Sequence, residues 1–385
     1  MSLLQGGSIS TILNSRWYQP DTKILSLFGS DMDLSPPAFI AEAIRNDVSE
    51  KRMFYGNVRG DEDVLEIVCS KLKIENNIKT KPNNICIVPG ARFGFFLTSS
   101  CFLKANEEAI MVGAPAHPCL MDSNQVVGAK TIWNNLQKDD YHIDIKDLKR
   151  KINRRTRLLC IMNPSNPVGR VYKVEELKQI LALAKKYNLT VLCDEIFEDL
   201  VYEGKHISFA SLDEDAAERT VSLFCPAKVG NFIGLRVAYM VSSEKNMKLF
   251  EVMLGRLSAH TDRLSQLTVR SFIKDSKPWL SDLKEHLLNM RNYCMRRIEK
   301  LPGVKCFKPE AGRYMFLDLA SYKLKSLEIA QRLKERAKLE VKPGILFGPA
   351  GEGHIRISFA TSQPVLEEAF NRLETELKSG HRFQC

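Results

Sequence analysis

Between about residues 60 and 250, short apolar runs alternate with stretches of helical period. The runs are NICIVPG, EAIMVGAP, KTIWNN, RLLCIMNP, TVLCDEI, TVSLFCPA and VAYMVSS. They are too short and too evenly apolar for amphipathic helices, so they read as strands buried on both faces. Lys173 to Tyr187 reads as one of the helices between them. This alternation predicts an α/β fold, with a large domain whose mostly parallel sheet is flanked by helices. After Ser281 the pattern changes. A long helical stretch runs through Lys300, followed by GVKCFKP, GRYMFLDL, a helix near Leu327 to Ala337, HIRISFA and a final helix. That mix predicts a smaller α+β domain built from the N- and C-terminal segments. The expected division is 1–45 as the N-terminal segment, 46–280 as the large domain and 281–385 as the small one.

A chain of 385 residues can bury a sizeable core. No apolar run reaches the roughly 18 residues of a membrane span, and the first residues lack the pattern of a signal peptide. The net charge of +10 is spread along the chain. Its densest basic run, Lys146 to Arg157, reads as a solvated helix face and loop rather than a nucleic-acid patch. A diffuse positive field also suits anionic small molecules. There are ten cysteines and no CxxC pair, which removes the main support for a zinc site or a dithiol redox motif. Cys86, Cys160 and Cys193 sit in apolar runs and read as small buried hydrophobes. A reducing cytoplasm is the expected location. No metal, nucleic-acid or membrane partner is expected.

The polar and glycine-rich punctuation follows the apolar runs, as in VPGAR, GAPAHP, IMNPSNPVG, CDEIFED and CPAKVG. In a doubly wound sheet that edge binds ligands. Asp194 and Glu195 close TVLCDE, and a carboxylate at a buried strand end needs a cation or a donor. Taken alone, this pair is equally a helix cap or a salt bridge, Lys228 a snorkelling surface lysine, and NPSNPVG a turn-rich loop. One reading covers all three strand ends. A desolvated lysine forms a Schiff base with an aldehyde. An electron-poor pyridinium needs an anion at its nitrogen. An oxygen on that ring needs a donor, which an asparagine amide provides. A phosphate needs backbone N–H groups from a Gly-rich strand-to-helix turn, plus an arginine. PGARFGFF supplies the turn at Gly90, and Gly234-Leu235-Arg236 the arginine.

At these residues the chain resembles the pyridoxal-phosphate-dependent aminotransferases of fold type I, class I/II. The resemblance covers nearly the whole chain. YGNVRGDEDV, NPSNPVG, CDEIFEDLVY, AKVGNFIGLR and PGILFGPAGEGHIRISFA match family motifs in family order. The resemblance implies pyridoxal 5'-phosphate as cofactor, held by Lys228 as a Schiff base. It implies Asp194 at the ring nitrogen and Asn166 at the ring oxygen, with His117 and Phe197 beside the ring. It places the phosphate with Gly90, Ala91, Arg92, Cys225 and Arg236, and with Tyr55 of a neighbouring subunit. It puts the substrate against Gly29 and Asn166, with its α-carboxylate on Arg356. The implied activity moves an amino group between an L-amino acid and a 2-oxo acid, in a homodimer with composite active sites.

Several positions depart from the family pattern. Phe197 stands where a tyrosine usually bonds the ring oxygen. His117 fills the slot of a stacking aromatic. Cys225 replaces a phosphate-binding serine, and Pro226 follows it. Arg313 stands where a small residue is common, and reads either as a surface arginine or as a clamp for a side-chain carboxylate. SDMDLSPP is similar to the C–S lyase branch of the same fold, so β-elimination is the alternative reaction. A regulatory protein on a decayed scaffold is disfavoured, because Lys228, Asp194, Asn166, Arg236 and Arg356 are all retained.

Overall fold

A computed structural model describes residues 15–29, 31–49, 54–137 and 140–378. The first fourteen positions, Ser30 and Cys385 lie outside the described residues. Near the N-terminus, β1 (Tyr18–Gln19) and β2 (Ile24–Ser26) form an antiparallel pair. The seven central runs form β3 (Ile85–Val88), β4 (Glu108–Ala114), β5 (Lys130–Asn135), β6 (Thr156–Met162), β7 (Thr190–Asp194), β8 (Thr220–Phe224) and β9 (Ala238–Val241). They make one sheet in the order β3-β9-β8-β7-β6-β4-β5. Only β9 runs against its neighbours; the pairings among β4 to β8 are parallel. The α/β class with a mostly parallel sheet is therefore as the hydrophobic pattern predicts.

Burial follows sheet position. Every residue of β3, β4, β8 and β9 is buried, as strands covered by helices on both faces require. β5 departs from the expectation of double burial, with both end residues exposed. It is the last strand, pairs only with β4, and has one flank open. The helix Val174–Tyr187 shows how a covering helix is specified. Leu177, Ile180, Leu181 and Ala184 recur at helical spacing and are buried. Glu176 reaches back to accept from the Lys173 N–H at 3.0 Å, tying down its first turn.

Beyond the helix Lys277–Ile298 come β10 (Lys305–Cys306), β11 (Tyr314–Asp318), β12 (Leu339–Glu340), β13 (Lys342–Pro343) and β14 (His354–Ser358). A four-stranded sheet has the order β10-β11-β14-β13, and β2 pairs in parallel with β12. The N-terminal chain thus pairs with the C-terminal third. It is also held to the central sheet. The Asn231 amide accepts from the Met32 N–H at 2.9 Å and donates to the Met32 and Leu34 carbonyls at 3.0 and 2.6 Å. No helix among the described residues is long and apolar enough to cross a membrane.

Candidate active site

Chain punctuation at the ends of β3, β4, β6, β7 and β8 converges on one cleft of about 230 Å³. Gly90, Ala91, Arg92, His117, Asn166, Asp194, Phe197, Cys225, Lys228 and Arg236 all line it. So does Tyr314, which the sequence motifs do not single out. Arg356 stands one layer back, in contact with Asn166 and Tyr314.

The lysine loop begins with Pro226 at the first turn of the short helix Pro226–Val229, where its missing N–H removes no helical bond. Lys228 is partly open to the cleft yet largely surrounded by protein. Burial lowers its ammonium pKa, with Arg313 and Arg356 adding to the effect against Tyr314. A neutral amine is the nucleophilic form. Asp194, at the end of β7, accepts from the Ile196 N–H at 3.1 Å. Burial pushes its carboxyl up to about 7, and no ion pair engages it among the described residues. A buried carboxylate short of a cation fits a ligand that brings a protonated ring nitrogen.

The other end of this wall is built for an anion. Gly90 caps the helix Ala91–Phe102 with φ +84°, a left-handed backbone that favours glycine. A Cβ there would stand 2.7 Å from Arg236 Nη2, so the guanidinium packs directly on the turn. Helix N–H groups and an adjacent guanidinium fit a phosphate. Cys225 borders this region, but its thiol donates to the Val237 carbonyl at 3.4 Å. Arg92 turns aside to pair with Asp122 at 2.9 Å. These arrangements together fit pyridoxal phosphate.

The opposite wall carries cations. Arg356 is 1% exposed. It donates to Asn166 Oδ1 and to the Phe28 carbonyl, both at 3.2 Å, and its Cζ lies 3.8 Å from the Tyr314 ring centroid. Its Nε has no hydrogen-bond partner, and no carboxylate pairs with it among the described residues. With Oδ1 of Asn166 engaged by Arg356, the amide N–H₂ is the group left for a ring oxygen. Gly29 follows the Phe28 carbonyl that holds Arg356. Arg313 is fully buried rather than a surface residue, and it hydrogen-bonds Tyr314. Burial alone would raise the Tyr314 phenol, but Arg313, Lys228 and Arg356 outweigh it and bring it down to about 7. His117 is driven well below the ordinary imidazole range by burial, then by Arg356, Lys342, Lys228 and Arg92, so it is neutral. Phe197 packs edge-on against Tyr314 at 6.0 Å. Tyr55 lies elsewhere in its own chain, 90% exposed and edge-on to His260 at 5.5 Å.

A cleft that pairs a strand-end lysine with a phosphate turn and a cation-poor carboxylate defines the pyridoxal-phosphate class of enzyme. The model of one family, aminotransferase class I and II, matches residues 22–373, and the chain belongs to that family. It is a pyridoxal-phosphate-dependent aminotransferase. It is 28% identical to an aspartate aminotransferase of Pyrococcus abyssi over 363 residues, 92% of each chain. It is also 28% identical to the cystathionine beta-lyase PatB of Bacillus subtilis over 367 residues, 92% of this chain and 93% of that one. Among solved structures, an aromatic aminotransferase from Pyrococcus horikoshii OT3 superposes with a TM-score of 0.89 at 27% identity. That match covers 94% of this chain and 97% of that one.

Proposed function

We propose that the enzyme exchanges an amino group between an L-amino acid and a 2-oxo acid, with Lys228 as the catalytic amine and Arg356 as the seat of the α-carboxylate. One observation carries this reading: a lysine whose ammonium is destabilised by burial shares a cleft with a carboxylate that no described residue ion-pairs and, behind Tyr314, an arginine that no described carboxylate pairs. Bound pyridoxal phosphate supplies an aldehyde and an electron-withdrawing ring. Asp194 would keep the proton on the ring nitrogen, and the Asn166 amide would donate to the ring oxygen. The turn at Gly90, with Ala91 and Arg236, would hold the phosphate. Arg356 would fix the substrate carboxylate, and Lys228 Nζ would take and return the Cα proton. Neutral His117 and Phe197 pack beside the ring and exclude water.

The same proposal includes a homodimer in which Tyr55 reaches the partner's phosphate site. It is supported by the neighbouring exposed aromatics Phe54 and Tyr55. The division into 46–280 and 281–385, with 1–45 joining the latter, is supported by the pairing of β2 with β12. A cytoplasmic location is supported by the nine described cysteines, all of them free.

The similarity to the Bacillus subtilis cystathionine beta-lyase favours a second reading, elimination at Cβ. Incubating the holoenzyme with amino donors separates the two. Transamination converts the bound cofactor to its amine form and needs a 2-oxo acid to turn over. Release of pyruvate and ammonia without an acceptor means elimination and would displace the first reading.

A further inference from the structure

Arg356 shares its face of the small sheet with a second cation that no carboxylate among the described residues pairs. β14 lies between β11 and β13, and the register sets Phe316 opposite Arg356 on one side and Lys342 opposite it on the other. Residues directly opposed across strands project to the same face. The side chains bear this out by meeting at one ring, that of Phe347. The Phe316 centroid lies 5.8 Å from it, Arg356 Cζ 5.0 Å and Lys342 Nζ 5.6 Å. Lys342 Nζ also lies 5.1 Å from the ring of Phe28, whose carbonyl accepts from Arg356.

Like charges directly opposite weaken a strand pair. Among the described residues no carboxylate pairs with Lys342 or Arg356, whereas nearby Lys334 is held by Glu340 at 2.6 Å. Burial against the aromatic rings, and then Arg356, hold the Lys342 ammonium down at about 8, the direction expected when an anion is missing. The pair stands directly behind the cleft wall. Phe347 packs edge-on to His117 at 6.4 Å, and His117 lines the cavity. Arg313, the other candidate for a distal anion, is occupied with the Tyr314 hydroxyl.

We propose that Lys342 is a specificity-determining residue: while Arg356 holds the α-carboxylate, the Lys342 ammonium receives a second carboxylate at the end of the substrate side chain. The preferred substrates are then dicarboxylic amino acids and their 2-oxo acids. This rests on the reading that Arg356 binds the α-carboxylate. Lys342 lies on a two-residue edge strand and is half-buried, so Lys342→Met keeps the apolar stem and removes only the charge.

The test measures equilibrium binding of succinate and of butyrate to the holoenzyme, alongside kcat/KM for aspartate, glutamate, alanine and norvaline. In Lys342→Met, succinate binding and the acidic-over-neutral kcat/KM ratio should each fall by at least about tenfold, with butyrate unchanged. Lys342→Arg should keep most of the preference. A ratio that Lys342→Met leaves intact, or an equal loss for succinate and butyrate, overturns the proposal. Failure of the aminotransferase reading looks different: no donor, acidic or neutral, would then convert the cofactor. Succinate binding still reports on Lys342 in that case, because it needs no turnover.

Discussion

The two ends of the cleft are out of charge balance in opposite senses. At the end of β7, Asp194 is a buried carboxylate with no ion pair among the described residues; burial outweighs the attraction of Lys228, and its pKa has risen to about 7. Across the cleft, Arg356 and Lys342 pair with no carboxylate among the described residues, and with Arg313 close by the Tyr314 phenol has been drawn down to about 7. Burying either kind of unmatched charge is costly unless something arrives to match it. The pattern therefore specifies its occupant: cationic at the end of β7, anionic where it meets the small sheet. A protonated pyridine ring and a substrate carboxylate meet those two demands.

Removing the geometry of the cationic end should have the largest effect. Arg356→Lys keeps the charge and loses the fork, and transition-state binding should weaken by roughly 2–4 kcal/mol. An unchanged kcat/KM for an amino acid would remove Arg356 from the substrate site.

The opposite imbalances also predict opposite pH signs for stability in the cofactor-free protein. Asp194 has a folded pKa raised from 3.8 to about 7. Over that window the folded state holds the proton more tightly, so stability falls as pH rises. Asp194→Asn should therefore stabilise the protein near pH 7 and above, with little effect near pH 4. Tyr314 has a folded pKa lowered from 10.0 to about 7. Its contribution is fully present above the unfolded value and is lost as pH falls through the folded one. Tyr314→Phe should cost nothing on this account below pH 7 and progressively more toward pH 10. Parallel melting curves for each variant and the parent across these windows check both signs. Two variants that shift in the same direction would break the contrast.

The smallest effect concerns Phe197, which on the proposed reading would leave the ring oxygen of a bound cofactor one donor short. Phe197→Tyr should lower the pH midpoint of the bound chromophore by up to about one unit, since a new donor favours the oxygen's anionic form. With His117 neutral, no imidazolium opposes this. An unchanged midpoint would point to Tyr314, which packs against Phe197, as the group already supplying the bond.

How far the sequence could be read differs between the same two regions. The anion-poor and cation-poor features of the large sheet fall at strand ends. There, an evenly apolar run stops at a polar residue, so Gly90, Asn166, Asp194 and Lys228 could be picked out one strand at a time. The cationic wall depends on pairing instead. Tyr314 stands in GRYMFLDL, which reads as a buried strand, and nothing local says that its ring will carry Arg356. Lys342 acquires meaning only once the two-residue strand β13 is set in register with β14, and local patterning does not encode the register of so short a strand. Arg313 likewise could not be assigned to the surface or the interior until Tyr314 was seen to hold it. The half-exposure of β5 follows from its edge position, and strand order is not written in the run itself.

The central claim is that the buried Lys228 amine, and no other, holds the cofactor. Borohydride reduction of the holoenzyme followed by peptide mass mapping tests it directly. The pyridoxyl adduct should fall on Lys228. An adduct on a different lysine, Lys342 with its lowered pKa being the nearest rival, or a protein that takes up no pyridoxal phosphate, would contradict it.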